Sequence, residues 1–232
     1  MKKIGIIGAM ELEVDTLKSK MEVSQIVKKA SMEFYEGTLE GVPVVVVRSG
    51  IGKVNAGICV QILVDVFGIT HVINTGVAGS LKNEINIGDI VVSTDALQHD
   101  MDATGFGYPL GEIPQMGVRE FVADARMIEL AKEVCEKVNP EIGVFKGRVI
   151  SGDQFICNKD VKDRLVENFA GYCTEMEGAA IAQAAYLNEI PYVVLRAISD
   201  KADDSAHEDY PTFERKAAEH CAKLVMGMVK EL

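Results

Sequence analysis

The chain has 232 residues, 48% of them hydrophobic, and a formal net charge of −11. That length holds a real core in one large α/β domain or two small ones, and the absence of a low-hydropathy half excludes a disordered or tail-bearing protein. The negative charge opposes non-specific binding to nucleic acid or an anionic membrane, since phosphate contacts need clustered Lys and Arg and the densest basic cluster is Lys28-Lys29.

The start, MKKIGIIGAMELEV, brings acids at Glu11 and Glu13 before any small-residue cleavage site, so Lys3–Ile7 reads as a first strand rather than a signal peptide. A helix is expected over Glu11–Lys20, then strands Phe34–Leu39 and Val42–Val47 joined by a hairpin turn in LEGVPV, Leu39–Val44. Next come a helix Val54–Phe67, strands His71–Asn74 and Asp89–Ser93, a helix Asp124–Val138, and a strand Val144–Ile150. Helices Lys159–Asn168 and Glu175–Leu187, a strand Tyr192–Ile198 and a last helix Pro211–Lys230 complete the alternation. In that last helix Phe213, Ala217, Cys221, Leu224 and Met228 make one apolar stripe, and Pro211 suits a first turn.

Such alternation predicts an α/β fold with a mostly parallel or mixed sheet covered on both faces, and no linker divides residues 1–232 into two domains. No apolar run is long enough to span a bilayer. The segment Gln98–Gln115 has no periodicity and is expected to be a functional loop. Cysteines 59, 135, 157, 173 and 221 lack a C-x-x-C pattern and sit mostly in apolar segments, which fits reduced thiols and the cytoplasm.

Three Gly-rich stretches read as turns after strands, where α/β sheets bind ligands: Gly5–Glu13, Ser49–Gly57 and Asn74–Leu81. None is a nucleotide-phosphate loop, because the first lacks G-x-G-x-x-G and the second has Val47 and Val54 where a P-loop needs Gly and Ser or Thr. Glu11 and Glu13 fit either helix-dipole stabilisation, ~0.3 to 1 kcal/mol each, or one general base aimed into a crevice. In CTEMEGAA, Thr174 and Glu177 have the spacing of a capping box, yet the apolar helix that follows places these acids near burial, where a carboxylate needs a partner or a ligand hydroxyl. His99, Asp100 and Asp102 have no second His at ligand spacing, so no metal site is expected, and no G-x-S-x-G elbow is present. In RAISDKADDSAHEDY, Arg196–Tyr210, the acids from Asp203 to Asp209 read as a solvated loop. Asp200 reads as a turn or cap residue, or as a site residue four positions along an extended strand from Arg196.

The strings IGIIGAMELEV, SGIGKVNA, INTGVAGSL, GDIVVS, HDMDATGFGY, VISGDQFI, TEMEGAAIA and PYVVLRAISDKAD, in this order, resemble the bacterial 5′-methylthioadenosine/S-adenosylhomocysteine nucleosidases of the purine nucleoside phosphorylase superfamily. The resemblance runs from Lys3 to the last helix. It implies a three-layer, nucleoside phosphorylase-like fold with a central twisted mixed sheet flanked by helices. It also implies a homodimer that uses no metal or cofactor and hydrolyses the N-glycosidic bond of its two nucleosides, a step of methionine salvage and the methyl cycle. By that resemblance Asp200, after Ser199, protonates adenine N7 and Glu13 prepares the attacking water. Glu177, with Met176 before it, holds the ribose hydroxyls with Arg196 nearby. Phe155 stacks on the base and the Ile156 backbone reads its edge. Met10, Ile51 and Tyr210 line the ribose and 5′-alkylthio region, Val77 and Gly79 belong to the substrate wall, and Ala103 and Phe106 come from the other subunit.

For Asp200 to hold a proton at neutral pH its pKa must rise by about three units, roughly 4 kcal/mol, which requires apolar burial and an Arg196 neutralised elsewhere, here expected to be by Glu177. Phosphorylases of this superfamily carry cations in the turns that here read GAMELEVD and NTGVAGSL, so water is the favoured nucleophile. The nucleosidases commonly read NTGSAG, and Val77 lacks that hydroxyl. A nucleosidase for another 5′-modified adenosine or a futalosine-type nucleoside, a phosphorylase, and a silent nucleoside-binding protein stay open as alternatives.

Overall fold

Among the described residues ten strands form, most of them on Val- and Ile-rich stretches between polar turns: β1 (Ile4–Gly8), β2 (Glu22–Lys29), β3 (Met32–Leu39), β4 (Val42–Arg48), β5 (His71–Ser80), β6 (Ile90–Gln98), β7 (Phe121–Val122), β8 (Val144–Ser151), β9 (Cys173–Glu175) and β10 (Tyr192–Asp200). The structure, a computed structural model, describes residues 2–232 except for the side chain of Glu208. The strands make one mixed sheet in the order β10-β6-β8-β9-β5-β1-β4-β3-β2, with β7 against β6. Because β10 also pairs in parallel with β5, strands β5, β10, β6, β8 and β9 close on themselves, and β1, β4, β3 and β2 extend outward. Both β1 and β10 are buried along their whole length, as strands covered on both faces must be.

Among the described residues six helices cover the sheet: α1 (Glu11–Lys20), α2 (Lys53–Phe67), α3 (Ala125–Val138), α4 (Lys159–Phe169), α5 (Gly178–Leu187) and α6 (Ala206–Glu231). α2 packs on α5, α1 and α3 pack on α6, and α4 encloses a smaller cluster built on Leu97, Ile150, Leu165 and Phe169. The α/β class and the mixed, helix-covered sheet follow the expectation. So does the hairpin between β3 and β4, which turns through Glu40 and Gly41 at φ 51° and 77°.

Seven elements, β2, β5, β6, β7, β9, α5 and α6, differ from the sequence reading. β2 was not expected because it is an exposed edge strand, held by its ladder to β3 rather than by an apolar face, and two-residue β7 is too short to show a pattern. The stretch Asn74–Ser80 is strand rather than turn, because Gly76 and Gly79 pair with Arg196 and Asp200 of β10. β6 likewise continues to Gln98 past an irregularity between Ser93 and Ala96. α5 begins at Gly178, since Cys173–Glu175 pairs with β5 and β8 as β9. α6 begins at Ala206, so Pro211 lies inside the helix and the acids expected as a solvated loop partly form its first turn, where the helix dipole favours them. Within that group the Glu208 side chain lies outside the described residues.

Candidate active site

A cavity of about 400 Å³ opens where β1, β5, β9 and β10 end, and it gathers residues from distant parts of the chain. Of the expected site residues, Met10, Glu13, Ile51, Val77, Gly79, Phe155, Met176, Glu177, Ser199, Asp200 and Tyr210 all line it. Ile156 lines a small annex of about 40 Å³ that shares Gly79, Phe155 and Asp200 with the main cavity. Ala103 and Phe106 do not border the cavity of their own chain; Phe106 stands on a short 3-10 turn and is 89% exposed. Arg196 is buried behind the lining.

The two acids of the first helical turn separate cleanly. Glu11 faces solvent and pairs with Lys18 at 2.8 Å. Glu13 is buried, and its Oε2 accepts from the Ala9 and Met10 N–H groups at 2.7 and 2.9 Å, while Oε1 accepts from Val77 N–H at 3.1 Å. One carboxylate therefore caps α1 and reaches into the cavity. Burial pushes its pKa up, against the pull of Arg196 and of those three N–H donors. The Val77 main chain holds Glu13 whatever side chain sits at 77. Gly76 is needed beside it, because a Cβ there would collide with Glu13 Oε1 and Arg196 Nη1.

The TEMEG segment supplies two carboxylates with different states. Glu175, on β9, accepts from the Glu177 and Gly178 N–H groups and from the Ser151 hydroxyl, and Ser151 Oγ in turn accepts from Ala179 N–H at 2.7 Å. These contacts cap α5, so the Thr174–Glu177 capping box is corrected: Thr174 lies in a strand, and the cap comes from Glu175 and Ser151. Arg196 binds Glu175 through Nε and Nη2 and also donates to Asn74 Oδ1 at 2.7 Å. Its Nη2 also stands 3.8 Å from Glu177 Oε2, so the expected partner Glu177 is the more distant of two, and Glu175 is the main counter-charge. Burial alone would raise Glu175, but Arg196 and the hydrogen bonds hold it below the usual carboxylate range. Glu177 is pushed up to about 8, by burial and then by the Glu175 charge, against Arg196 and the Gly52 N–H that binds its Oε1 at 2.8 Å.

Asp200 closes β10 at an irregularity after Ile198 and is 2% exposed. Burial raises its pKa, opposed by the Ala202 N–H on Oδ1 and the Ser199 hydroxyl on Oδ2, both at 2.8 Å. Over the cavity mouth the Tyr210 ring meets Phe155 edge-on with centroids 5.8 Å apart, and its hydroxyl lies 3.2 Å from Met10 Sδ. Glu175 was the functional residue not singled out in the sequence; its one signal was an acid just before an apolar helix. Among the described residues no cluster of His, Cys, Asp and Glu is placed to hold a metal ion.

The family model described as the phosphorylase superfamily matches residues 3–230. A 5′-methylthioadenosine/S-adenosylhomocysteine nucleosidase from an Exiguobacterium species is 42% identical over 231 residues, covering 99% of this chain and 98% of its own. The crystal structure of the nucleosidase of that name from Neisseria meningitidis, in complex with methylthio-immucillin-A, superposes with a TM-score of 0.96 at 38% identity over 100% of both chains. The futalosine hydrolase of Helicobacter pylori superposes with a TM-score of 0.94 at 35% identity, over 100% of this chain and 98% of its own. Sequence and fold agree, and the chain belongs to the phosphorylase superfamily and, within it, to the 5′-methylthioadenosine/S-adenosylhomocysteine nucleosidase family.

Proposed function

We propose that the chain is an N-glycosyl hydrolase that cleaves 5′-methylthioadenosine and S-adenosylhomocysteine with water, releasing adenine and the 5′-thioribose product. One observation carries this reading: Glu13, Glu177 and Asp200 face a single cavity whose lining contains no Lys, Arg or His to hold a phosphate nucleophile.

Cleaving a purine from ribose builds positive charge on the sugar and negative charge on the base. Asp200, whose pKa burial raises, gives its proton to N7 of the leaving base. Glu13 takes a proton from the attacking water, and its raised pKa makes it the better base near neutrality. Glu177 binds the ribose hydroxyls with Met176 beside it, its Oε1 fixed by Gly52. Phe155 and Ile156 receive the base; Met10, Ile51 and Tyr210 receive the alkylthio group; Val77, Gly79 and Ser199 complete the wall. Arg196 acts from behind, as the counter-charge of Glu175 and the neighbour of Glu13 and Glu177.

In the same reading the chain is one domain, works as a homodimer and resides in the cytoplasm, with Ala103 and Phe106 completing the partner's cavity. Supporting the dimer, Phe106, Ile51, Val54 and Ile58 are exposed apolar side chains, Val54 and Ile58 one turn apart in the first part of α2 and Ile51 just before it. All five cysteines are free and four of them are buried, which fits a reducing compartment. No helix among the described residues is long and apolar enough to cross a membrane.

A second reading, hydrolysis of a futalosine-type nucleoside, is favoured by Val77 and by the futalosine hydrolase neighbour. Initial rates on methylthioadenosine, adenosylhomocysteine and futalosine separate the two: the adenosine thioethers are expected to react faster, and a faster futalosine reaction would replace the first reading with the second.

A further inference from the structure

Thr174 was a cap candidate in the sequence, and the structure leaves its hydroxyl with nothing to do inside the protein. It is the middle residue of β9 and 5% exposed, and its Oγ1 is buried without a hydrogen-bond partner among the described residues. Native structures rarely leave a buried hydroxyl unpaired, because it costs free energy that valine, nearly the same shape, would avoid. Neighbouring groups are committed elsewhere: Glu175 to Ser151, Arg196 and the α5 N–H groups, and Asp200 to Ser199 and Ala202.

The register shows where the hydroxyl faces. Thr174 is paired with Gly79 across β9 and β5, and Gly79 is paired with Asp200 across β5 and β10, so the three stand in one row across the sheet. Residues opposite each other in such a row project to the same face. Gly79 has no side chain, and a Cβ there would come within 2.8 Å of Asp200 Oδ1, so the row has a gap between a proton donor and a hydroxyl. Thr174 lines the main cavity and also the annex, together with Gly79, Phe155, Ile156 and Asp200.

We propose that Thr174 is a base-recognition residue: its hydroxyl hydrogen-bonds the purine that enters the gap over Gly79, on the opposite side of that gap from Asp200. This rests on the adenine-releasing reading above. The bond gives the departing base a second polar anchor besides Asp200, and as both donor and acceptor the hydroxyl can follow the change in charge as the base leaves.

The test compares Thr174→Val, which removes only the hydroxyl, with Thr174→Ser, which keeps it, by adenine affinity in calorimetry, by kcat/KM on methylthioadenosine, and by melting temperature without ligand. Expected are about tenfold losses in adenine affinity and kcat/KM for the Val variant, equivalent to ~1.4 kcal/mol, with Ser near wild type. The unliganded Val variant should melt no lower than wild type, since it loses an unpaired group. Wild-type adenine affinity in the Val variant, or a clear drop in its unliganded melting temperature, would overturn the assignment, the latter by showing a structural role. If wild-type protein binds adenine but cleaves no nucleoside, the functional reading fails while the affinities still decide Thr174; no adenine binding by wild type ends both.

Discussion

Arg196 and Glu175 form a buried two-point ion pair, with 2% and 3% side-chain exposure, Glu175 in the wall of the acid-lined cavity and Arg196 behind it. It fixes the charge pattern of the site. Glu175 stays ionised, and its charge together with burial keeps Glu177 protonated near neutrality. Removing one partner of such a pair leaves an uncompensated charge in a dry environment, at a cost of about 3–5 kcal/mol. Glu175→Gln is therefore expected to lower the melting temperature strongly and to reduce turnover, because Arg196 would turn to Glu177 and ionise it. A variant with wild-type stability and activity would show that the pair does not set the site.

Glu177 should leave a signature in the pH dependence of stability. Its folded pKa of about 8 lies above the ordinary 4.5. Its contribution is therefore fully present below the unfolded pKa and is lost as pH rises through the folded one. Between these values the folded state holds a proton that the unfolded state has released, a slope of roughly 1.4 kcal/mol per pH unit. Glu177→Gln is expected to flatten the fall of melting temperature over that window, as read from thermal unfolding at several pH values. Parallel curves for variant and wild type would contradict the raised pKa.

Asp200→Asn keeps the shape of the base site and removes its proton donor. Loss of a general acid costs about a hundred- to ten-thousandfold in rate. Turnover is expected to fall in that range while adenine still binds, measured by steady-state kinetics and by calorimetry. Near-normal turnover would remove Asp200 from the mechanism.

Gly76→Ala tests the close approach of side chains to β5. The added methyl would occupy space held by Glu13 Oε1 and Arg196 Nη1. Overpacking of this kind costs about 1–3 kcal/mol. A lower melting temperature and at least about tenfold lower kcat are expected, since about 1.4 kcal/mol of lost transition-state stabilisation already gives that factor. Unchanged kcat would show that Glu13 needs no fixed position.

Much of this fold was legible because buried strands advertise themselves: Tyr192–Leu195 and Val42–Val47 are continuous apolar runs. β2 was not, because an edge strand that is exposed on both faces has no apolar period to read. The Gly-rich stretch after Asn74 misled for a related reason. Its glycines sit in a strand to make room for Glu13, Arg196 and Asp200, which looks like a turn until the partner strand is known. The site residues came from ordered motifs, and eleven of the expected ones line the main cavity. The main partner of Arg196 is not legible because TEMEG offers two acids two residues apart, and only the pairing of Cys173–Glu175 with β5 and β8 brings Glu175 closer to the guanidinium than Glu177.

On the proposed reading water, activated at a cavity lined by acids and by no Lys, Arg or His among the described residues, replaces phosphate as nucleophile. Incubating purified protein with methylthioadenosine in phosphate-free buffer and following adenine by chromatography tests it most directly. Adenine and free methylthioribose should appear at a rate that added phosphate does not raise. Adenine release only when phosphate is supplied, with a sugar 1-phosphate as co-product, would contradict it.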